Sequence, residues 1–392
     1  DKSYNSKLFA EGLLEKEGFF DEQTLVKVIR GLYFGTKEQQ ARYMFDQIPG
    51  DLLGSIYEQY LGTILQGTEK RVKLEERSGK RKKMGIYYTP SYIVDYIVKN
   101  TVGEYLKDKT IDEILEVKIV DPACGSGSFI VRAFQEVCNT IEERLKKGEK
   151  GKMATFQSYK ERLSFSQKIS ILTHCIYGVD LDEKAVELAQ LNLLLKLLEE
   201  ESPESHKRLL PNLRENIKCG NSLIDDSSIA GDKAFKWEAQ FKEVFNDGGF
   251  DVVIGNPPYI YAREKISAKE KAHYISNYAS AQYQLNTYLL FIEKSIKIIK
   301  RRGIYGLIVP NSWLMISSAI NLRKLILETN KIEKVVNLSG HSFEDANVET
   351  IIIIAKKETA NDSNIEIFMN QEKTLIYSHT NSQKTYLNNK NF

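Results

Sequence analysis

From Tyr87 onward, short apolar runs alternate with longer amphipathic ones. The runs VKIVD (117–121), CIYGVD (175–180), NIKCG (216–220), FDVVIG (250–255) and IYGLIVP (304–310) are the strand candidates. Near-continuous apolar runs of that length suit strands covered on both faces. IEKVVNL (332–338) and ETIIIIAKK (349–357) follow with a short connection, which predicts an antiparallel hairpin at that edge of the sheet. Between the strands, EKAVELAQLNLLLKLLEE (183–200) and TYLLFIEKSIKIIKR (287–301) repeat apolar residues every three or four positions, as helices do. Strands alternating with helices predict an α/β fold with a doubly wound, mainly parallel, seven-stranded sheet.

Ahead of this region, residues 1 to 66 carry helical spacing. DEQTLVKVIRGLYFG and PGDLLGSIYEQYLGTIL have Asp21 and Asp51 as start signals. The basic stretch EKRVKLEERSGKRKKMG (69–85) reads either as a solvated linker or hairpin, or as a phosphate-contacting segment. The closing TNSQKTYLNNKNF reads as a frayed tail or the start of a further region. The expected organisation is a helical segment with basic linker at 1–84, a catalytic domain at 85–360, and a tail or truncated recognition region at 361–392.

Composition narrows the function classes. The 392 residues hold 55 Lys and Arg against 53 Asp and Glu, so any affinity for nucleic acid must come from local clustering of charge. The absence of a signal peptide or a membrane-length apolar run predicts a cytoplasmic protein. The four cysteines (Cys124, Cys138, Cys175, Cys219) form no C-x-x-C pair, and the five His are scattered, so no metal site is expected.

The candidate chemistry sits at strand ends. IVDPACGSGSF closes an apolar strand with Asp121, then turns tightly through Gly125 and Gly127 into a helix. Glycines there let backbone approach a ligand at the carboxyl edge of the sheet. IYGVDLDEKAVELA puts Asp180 at the next strand tip, where a carboxylate can bind a ribose diol, with Asp182 as a helix N-cap. In dinucleotide folds the acidic residue follows the glycines by about 20 residues. Here Asp180 follows Gly125 by 55, and no third glycine completes the pattern. A ribose-bearing ligand without a pyrophosphate, such as S-adenosylmethionine, fits better. In KCGNSLI, Asn221 offers an amide to an adenine edge, or forms a plain turn. In YYTPSYIVDYIV, Thr89 is placed as an N-cap and Pro90 as the first helical residue, which explains both without function. The functional reading sets that helix start beside the cofactor's methionine end.

FDVVIGNPPYIY ends a strand abruptly, since two prolines remove two donors and fix two φ angles. Asn256 supplies a side-chain acceptor and Pro257 a rigid carbonyl, which together suit both hydrogens of a planar amino group. Tyr259 is placed to stack on the ring that carries it, and Tyr261 is left open between that wall and packing.

DPACGSGSF, GVDLD, GNSL and GNPPY in this order, with YYTP upstream, resemble the N6-adenine DNA methyltransferases of the N-P-P-Y class in their gamma arrangement. The likeness is to the methylase portion of type IIG restriction-modification enzymes. It implies a catalytic Asn256, Pro257 and Tyr259 acting on an adenine flipped out of double-stranded DNA. It implies S-adenosylmethionine held by Thr89, Pro90, Asp121, Ala123, Gly125, Asp180 and Asn221. It also implies an aromatic on the far face of the base, for which Phe343 is the best match. The family often has Asp at the Asn221 position, and the gap between GSG and GVD is long, with an extra helical segment around 150–174 to which no role is assigned. The resemblance further implies recognition and nuclease parts outside these residues. Asp112, Glu116 and Lys118 superficially suit a nuclease but read as structural. The alternatives are a methyltransferase acting on RNA or a protein glutamine amide, and a non-catalytic DNA-binding subunit with a vestigial pocket.

Overall fold

The computed structural model describes residues 89–152, 162–199, 210–260, 266–282, 285–338, 348–360, 363–371 and 374–387. It also describes the helical positions 23, 26, 27 and 30, and the backbone of β1 (Thr63–Thr68) and β2 (Arg71–Glu76). These two strands pair antiparallel, Thr68 opposite Arg71. Within the basic stretch, Arg71–Glu76 is thus one strand of a hairpin. The helix expected through Leu65 gives way at Thr63 to a strand, where the run TILQGT has lost the three- and four-residue repeat.

The catalytic region opens with α1 (Ser91–Val98), which continues through a π-helical turn at Lys99–Gly103 to Leu106. Then come α2 (Ile111–Leu115), β3 (Ile119–Asp121), α3 (Ser128–Lys146), α4 (Phe165–Cys175), β4 (Ile176–Asp180) and α5 (Glu183–Leu198). After β5 (Ile217–Cys219) and β6 (Phe250–Gly255) follow α6 (Ala268–Asn277), α7 (Thr287–Ile298), β7 (Ile299–Pro310) and α8 (Ile320–Thr329). The described chain ends with β8 (Lys331–Asn337), β9 (Thr350–Lys356), β10 (Asn364–Gln371), β11 (Thr374–Ser382) and α9 (Gln383–Leu387). Part of the unassigned segment 150–174 is α4, which starts in a Ser164–Gln167 capping box.

Nine strands form the main sheet, in the order β11-β10-β8-β9-β7-β6-β3-β4-β5. The α/β class and the parallel centre agree with the sequence reading, but the count is nine rather than seven. β8 and β9 do pair antiparallel, yet β9 lies inside the sheet between β7 and β8. The expected edge hairpin is therefore not at the edge. β10 adds parallel to β8, and β11 closes that side antiparallel. The tail is also not frayed at Gln383. That side chain is fully buried, accepting from Ile332 N at 2.9 Å and donating to Asn330 O at 2.7 Å and Leu327 O at 3.1 Å.

The alternation of side chains along each strand divides the core between two faces. Ile119, Ile176, Val252, Ile254, Ile304 and Ile352 pack with α1, α3, α4 and α5 on one face. Val120, Val179, Val253, Tyr305, Leu307 and Ile353 pack with Tyr288, Leu322 and Trp237 on the other. All six residues of β6 are buried, which is why its sequence is so apolar. β4 and β5 extend from one side of β3, and β6 and β7 from the other. The order of connection thus reverses between β3 and β6, and a crevice opens at their carboxyl ends.

Candidate active site

The strand-end motifs from the sequence lie at the carboxyl ends of the neighbouring parallel strands β6, β3, β4 and β5. Asp121 ends β3 and is 1% exposed; its Oδ1 accepts from Ala123 N at 2.9 Å. Gly125 and Gly127 have φ of 51° and 94°, in the left-handed region where glycine is favoured. A side chain at Gly127 would also meet the Ala189 backbone at 3.1 Å, so glycine lets the turn close against α5. Asn192 Nδ2 donates to Ser126 O at 2.9 Å and ties the same turn to that helix.

Asp180, at the tip of β4, accepts from Gly125 N at 2.8 Å through Oδ2 and from Asp182 N at 2.9 Å through Oδ1. Asp182 caps α5 as expected, accepting from Lys184 N at 2.9 Å. Burial pushes the Asp121 carboxyl up to about 8; the Ala123 N–H opposes this and the neighbouring Asp180 adds to it. Burial raises Asp180 as well, against the pull of the two N–H groups. None of the described ion pairs involves either acid. The next residue, Leu181, is an apolar side chain 56% exposed at the strand tip. The motif reading passed over it. Its signal was a leucine directly after the acidic tip, with no apolar periodicity to claim it.

Asn221 is linked to the tip of β4 because Gly220 N donates to Asp180 O at 2.8 Å. Its Oδ1 accepts from Leu223 N at 3.0 Å, so the residue does form the turn that was its plain reading. Ser222 Oγ donates to Pro122 O at 2.6 Å and joins this loop to the glycine turn.

The end of β6 is shaped by Asp121. Gly255 has a φ of 152°, and a Cβ there would lie 2.6 Å from Asp121 Oδ1. Glycine leaves room there for the Asp121 carboxyl group. Asn256 follows at once. Its Nδ2 donates to Thr89 Oγ1 at 3.0 Å, and its Oδ1 accepts from the Tyr259 hydroxyl at 2.6 Å. The Tyr259 hydroxyl also lies 3.1 Å from Ile308 O on β7. The Tyr259 ring is 7% exposed and meets Tyr288 in a T-shaped contact at 6.0 Å. Stacking on a ligand therefore requires the ring to be uncovered. Thr287 Oγ1 braces the strand exit, donating to Pro258 O at 2.5 Å and accepting from Ile260 N at 3.0 Å.

One expectation fails here. Thr89 is not the N-cap of α1: the cap is Pro90, without a side-chain cap bond. Pro90 O takes Ile93 N at 3.0 Å, and the Thr89 hydroxyl is instead engaged by Asn256. Asp112 is structural as read, accepting from Lys152 N at 2.7 Å, while Lys118 Nζ donates to His174 O at 2.9 Å. Phe343 and Tyr261 lie outside the described residues, as do Asp21 and Asp51. All four cysteines are free, and among the described residues no helix is long and apolar enough to cross a membrane.

A doubly wound sheet that gathers a glycine turn, an acidic strand tip and a proline-ended strand at one switch point belongs to the S-adenosylmethionine-dependent methyltransferase class of fold. Among solved structures, a DrdV–DNA complex matches 92% of this chain and 33% of that chain, with a TM-score of 0.57 at 16% identity, a likeness of fold. Residues 174–343 match the family described as Eco57I restriction-modification methylase, and residues 115–202 match the methyltransferase domain of the RMKL-like family. The type II restriction enzyme and methyltransferase RM.Eco57I of Escherichia coli is 35% identical over 367 residues, 91% of this chain and 36% of the relative. The adenine-specific methyltransferase PglX of Streptomyces coelicolor is 23% identical over 308 residues, 71% of this chain and 23% of the relative. The chain thus carries an Eco57I-type restriction-modification methylase domain, and it spans about a third or less of the length of these curated relatives.

Proposed function

We propose that this chain transfers a methyl group from S-adenosylmethionine to N6 of adenine in DNA, as the modification part of a restriction-modification system. The observation that carries the reading is Asn256, held from both sides at the end of β6, next to the buried carboxyl of Asp121.

The cofactor suits the residues at the neighbouring strand ends. Asp180 has a carboxylate held by two backbone N–H groups, and its remaining lone pairs suit a ribose diol. Gly125 allows backbone to approach closely, Leu181 offers apolar surface to a ring, and the Asn221 amide suits an adenine edge. Asp121 and Ala123, at the end of β3, and Thr89 and Pro90, at the start of α1, are the residues that would hold the cofactor's methionine end. Bound there, S-adenosylmethionine supplies an electrophilic methyl group.

The rest of the chemistry belongs to the chain. The lone pair of an exocyclic adenine nitrogen is delocalised into its ring and is a poor nucleophile. Asn256 Oδ1 and the Pro257 carbonyl accept its two N–H groups, favour a tetrahedral nitrogen and stabilise the charge it gains. The nitrogen takes the methyl carbon as the sulfur–methyl bond breaks, which leaves S-adenosylhomocysteine, and it then gives one proton to solvent. Tyr259 and Phe343 are assigned to the two faces of the base. A base inside a duplex cannot meet these groups, so the target leaves the stack first. The length of the relatives leaves room for recognition and nuclease parts in the whole protein.

The test is to give the full-length protein labelled cofactor with duplex DNA, RNA or protein and to identify the methylated product. N6-methyladenine from DNA is expected, and its absence overturns the reading. Asn256→Ala should lower transfer by at least about 10²–10³-fold. Its affinity for S-adenosylhomocysteine should stay close to wild type, and a collapse of that affinity would overturn the role given to Asn256.

A further inference from the structure

Thr89 has a side chain that its own helix does not use. The turn of α1 begins on the Pro90 carbonyl, and Thr89 is 5% exposed. A buried hydroxyl needs a partner, and this one accepts from Asn256 Nδ2 at 3.0 Å, across 167 positions of sequence.

An amide side chain has a donor end and an acceptor end, and a half-turn of its last torsion exchanges them. Methylation needs the acceptor end toward the amine. A flipped Asn256 would set two N–H groups against a group that itself donates. Tyr259 does not decide between these orientations. It donates to Asn256 Oδ1 at 2.6 Å, but with its hydrogen turned to Ile308 O at 3.1 Å it accepts equally well from a flipped amide. Thr89 decides as soon as its single hydroxyl hydrogen is given to another acceptor. Its oxygen then has only lone pairs to offer, and only the Nδ2 end of Asn256 can meet them.

We propose that Thr89 is a positioning residue for Asn256, anchoring Nδ2 so that Oδ1 stays toward the target amine. This rests on the methyltransferase reading above. Under that reading, the cofactor's carboxylate takes the Thr89 hydrogen, so filling the cofactor site also sets the orientation of the group that meets the substrate. Thr89 is then more than a cofactor contact, because one hydroxyl joins the two halves of the crevice.

Thr89→Val and Thr89→Ser in the full-length protein test this through three measurements. These are S-adenosylhomocysteine affinity by calorimetry, single-turnover methyl transfer at saturating cofactor, and thermal unfolding. The valine variant should transfer about 10- to 100-fold more slowly, a loss of the size that misplacing a reacting group produces. Its S-adenosylhomocysteine affinity should also fall, by about tenfold for the lost bond to the cofactor's carboxylate, which saturating cofactor removes from the rate comparison, and serine should restore most of the rate. A valine variant with wild-type transfer at saturating cofactor overturns the proposal, since Thr89 would then be a cofactor ligand alone. A serine variant as slow as valine, at an unchanged melting temperature, also overturns it, since shape rather than the hydroxyl would matter. If valine prevents folding, Thr89→Ala serves in its place with the same expected pattern. Wild-type protein that methylates no DNA adenine would instead overturn the underlying reading.

Discussion

The two ends of this sheet bury carboxylates for opposite purposes. At the amino end of β6, Asp251 is 3% exposed and fully matched. Lys300 Nζ lies 2.6 Å from its Oδ1, the Tyr105 hydroxyl donates to the same oxygen, and Lys118 N donates to Oδ2 at 2.9 Å. At the carboxyl end, Asp121 and Asp180 accept backbone N–H groups only, among the hydrogen bonds described, and burial raises both pKa values. A buried carboxylate whose counter-charge lies within the chain completes a structure. A buried carboxylate with backbone N–H groups but no cation is held in place at some cost and keeps lone pairs for a ligand. The clamp at Asp251 ties α1's continuation, β3 and β7 to β6. It thereby holds rigid the strand whose far end carries Asn256.

The comparison can be broken most forcefully at Asp251. Asp251→Asn strips Lys300 of its counter-charge and leaves one donor facing another. It should destabilise the domain by about 2–3 kcal/mol, below the range for a fully buried broken pair because Lys300 reaches solvent. Urea unfolding measures this, and a loss below about 0.5 kcal/mol would show that the amino end is not a clamp. Affinity for S-adenosylhomocysteine should be little changed.

Asp180→Asn should give the reverse pattern. S-adenosylhomocysteine affinity should fall by about tenfold or more, the value of a charge-assisted hydrogen bond, while the backbone donor left facing the new amide costs about 1 kcal/mol, less than at Asp251 because no counter-charge is stranded. Calorimetry beside urea unfolding separates the two effects. If stability fell as far as in the Asp251 variant, the two ends would not differ in kind.

The most specific effect is in pH, because it accumulates across a window rather than at one condition. The Asp121 carboxyl keeps its proton up to about 8 in the fold, against an ordinary value of 3.8. Between these values the folded protein binds a proton that the unfolded chain has released. Stability from this group is therefore full at low pH and is lost as pH rises through the window, by at most about 1.4 kcal/mol per pH unit. Above pH 8 its contribution is flat. In ligand-free protein, Asp121→Asn should remove this slope relative to wild type, as melting temperatures from acid to alkaline pH will show. Asp180 is shifted in the same direction, so some slope remains in the variant. Identical pH profiles for the two proteins would mean that Asp121 is not held protonated.

Much of this architecture was legible because its signals are local. Strands β3 to β6, β8 and β9 fall on the apolar runs singled out from the sequence, since strands buried on both faces have little room for polar residues; β7 does so only from Ile304, because residues 299–301 carry on the spacing of the preceding helix. Gly125, Gly127, Asp180 and Asn256 stood out because glycine, acid and proline-flanked Asn have few structural uses at strand ends. β10 and β11 were missed for the complementary reason. NIEIFMNQ and TLIYSHTNS lie at the sheet edge, where polar side chains meet solvent, and their composition resembles a loop. Asp251 had a visible signal, a charge within an apolar strand, but its partners Tyr105 and Lys300 could not be paired with it from sequence.

Thr89 marks the boundary most sharply. Thr-Pro before an apolar run meets the local rules for a capped helix start, and local rules cannot weigh a partner far along the chain. The sequence by itself determined the class of fold, the order of its strands along the chain and the residue types at their ends, because periodicity and turn chemistry act over a few residues. Only the tertiary structure decided which strands became neighbours, that Asp121 and Gly255 nearly touch, and that the Thr89 hydroxyl leaves its helix for Asn256. Those outcomes depend on packing and on satisfying buried polar groups across the whole domain, where the competing partners are set by the fold and not by the neighbouring residues.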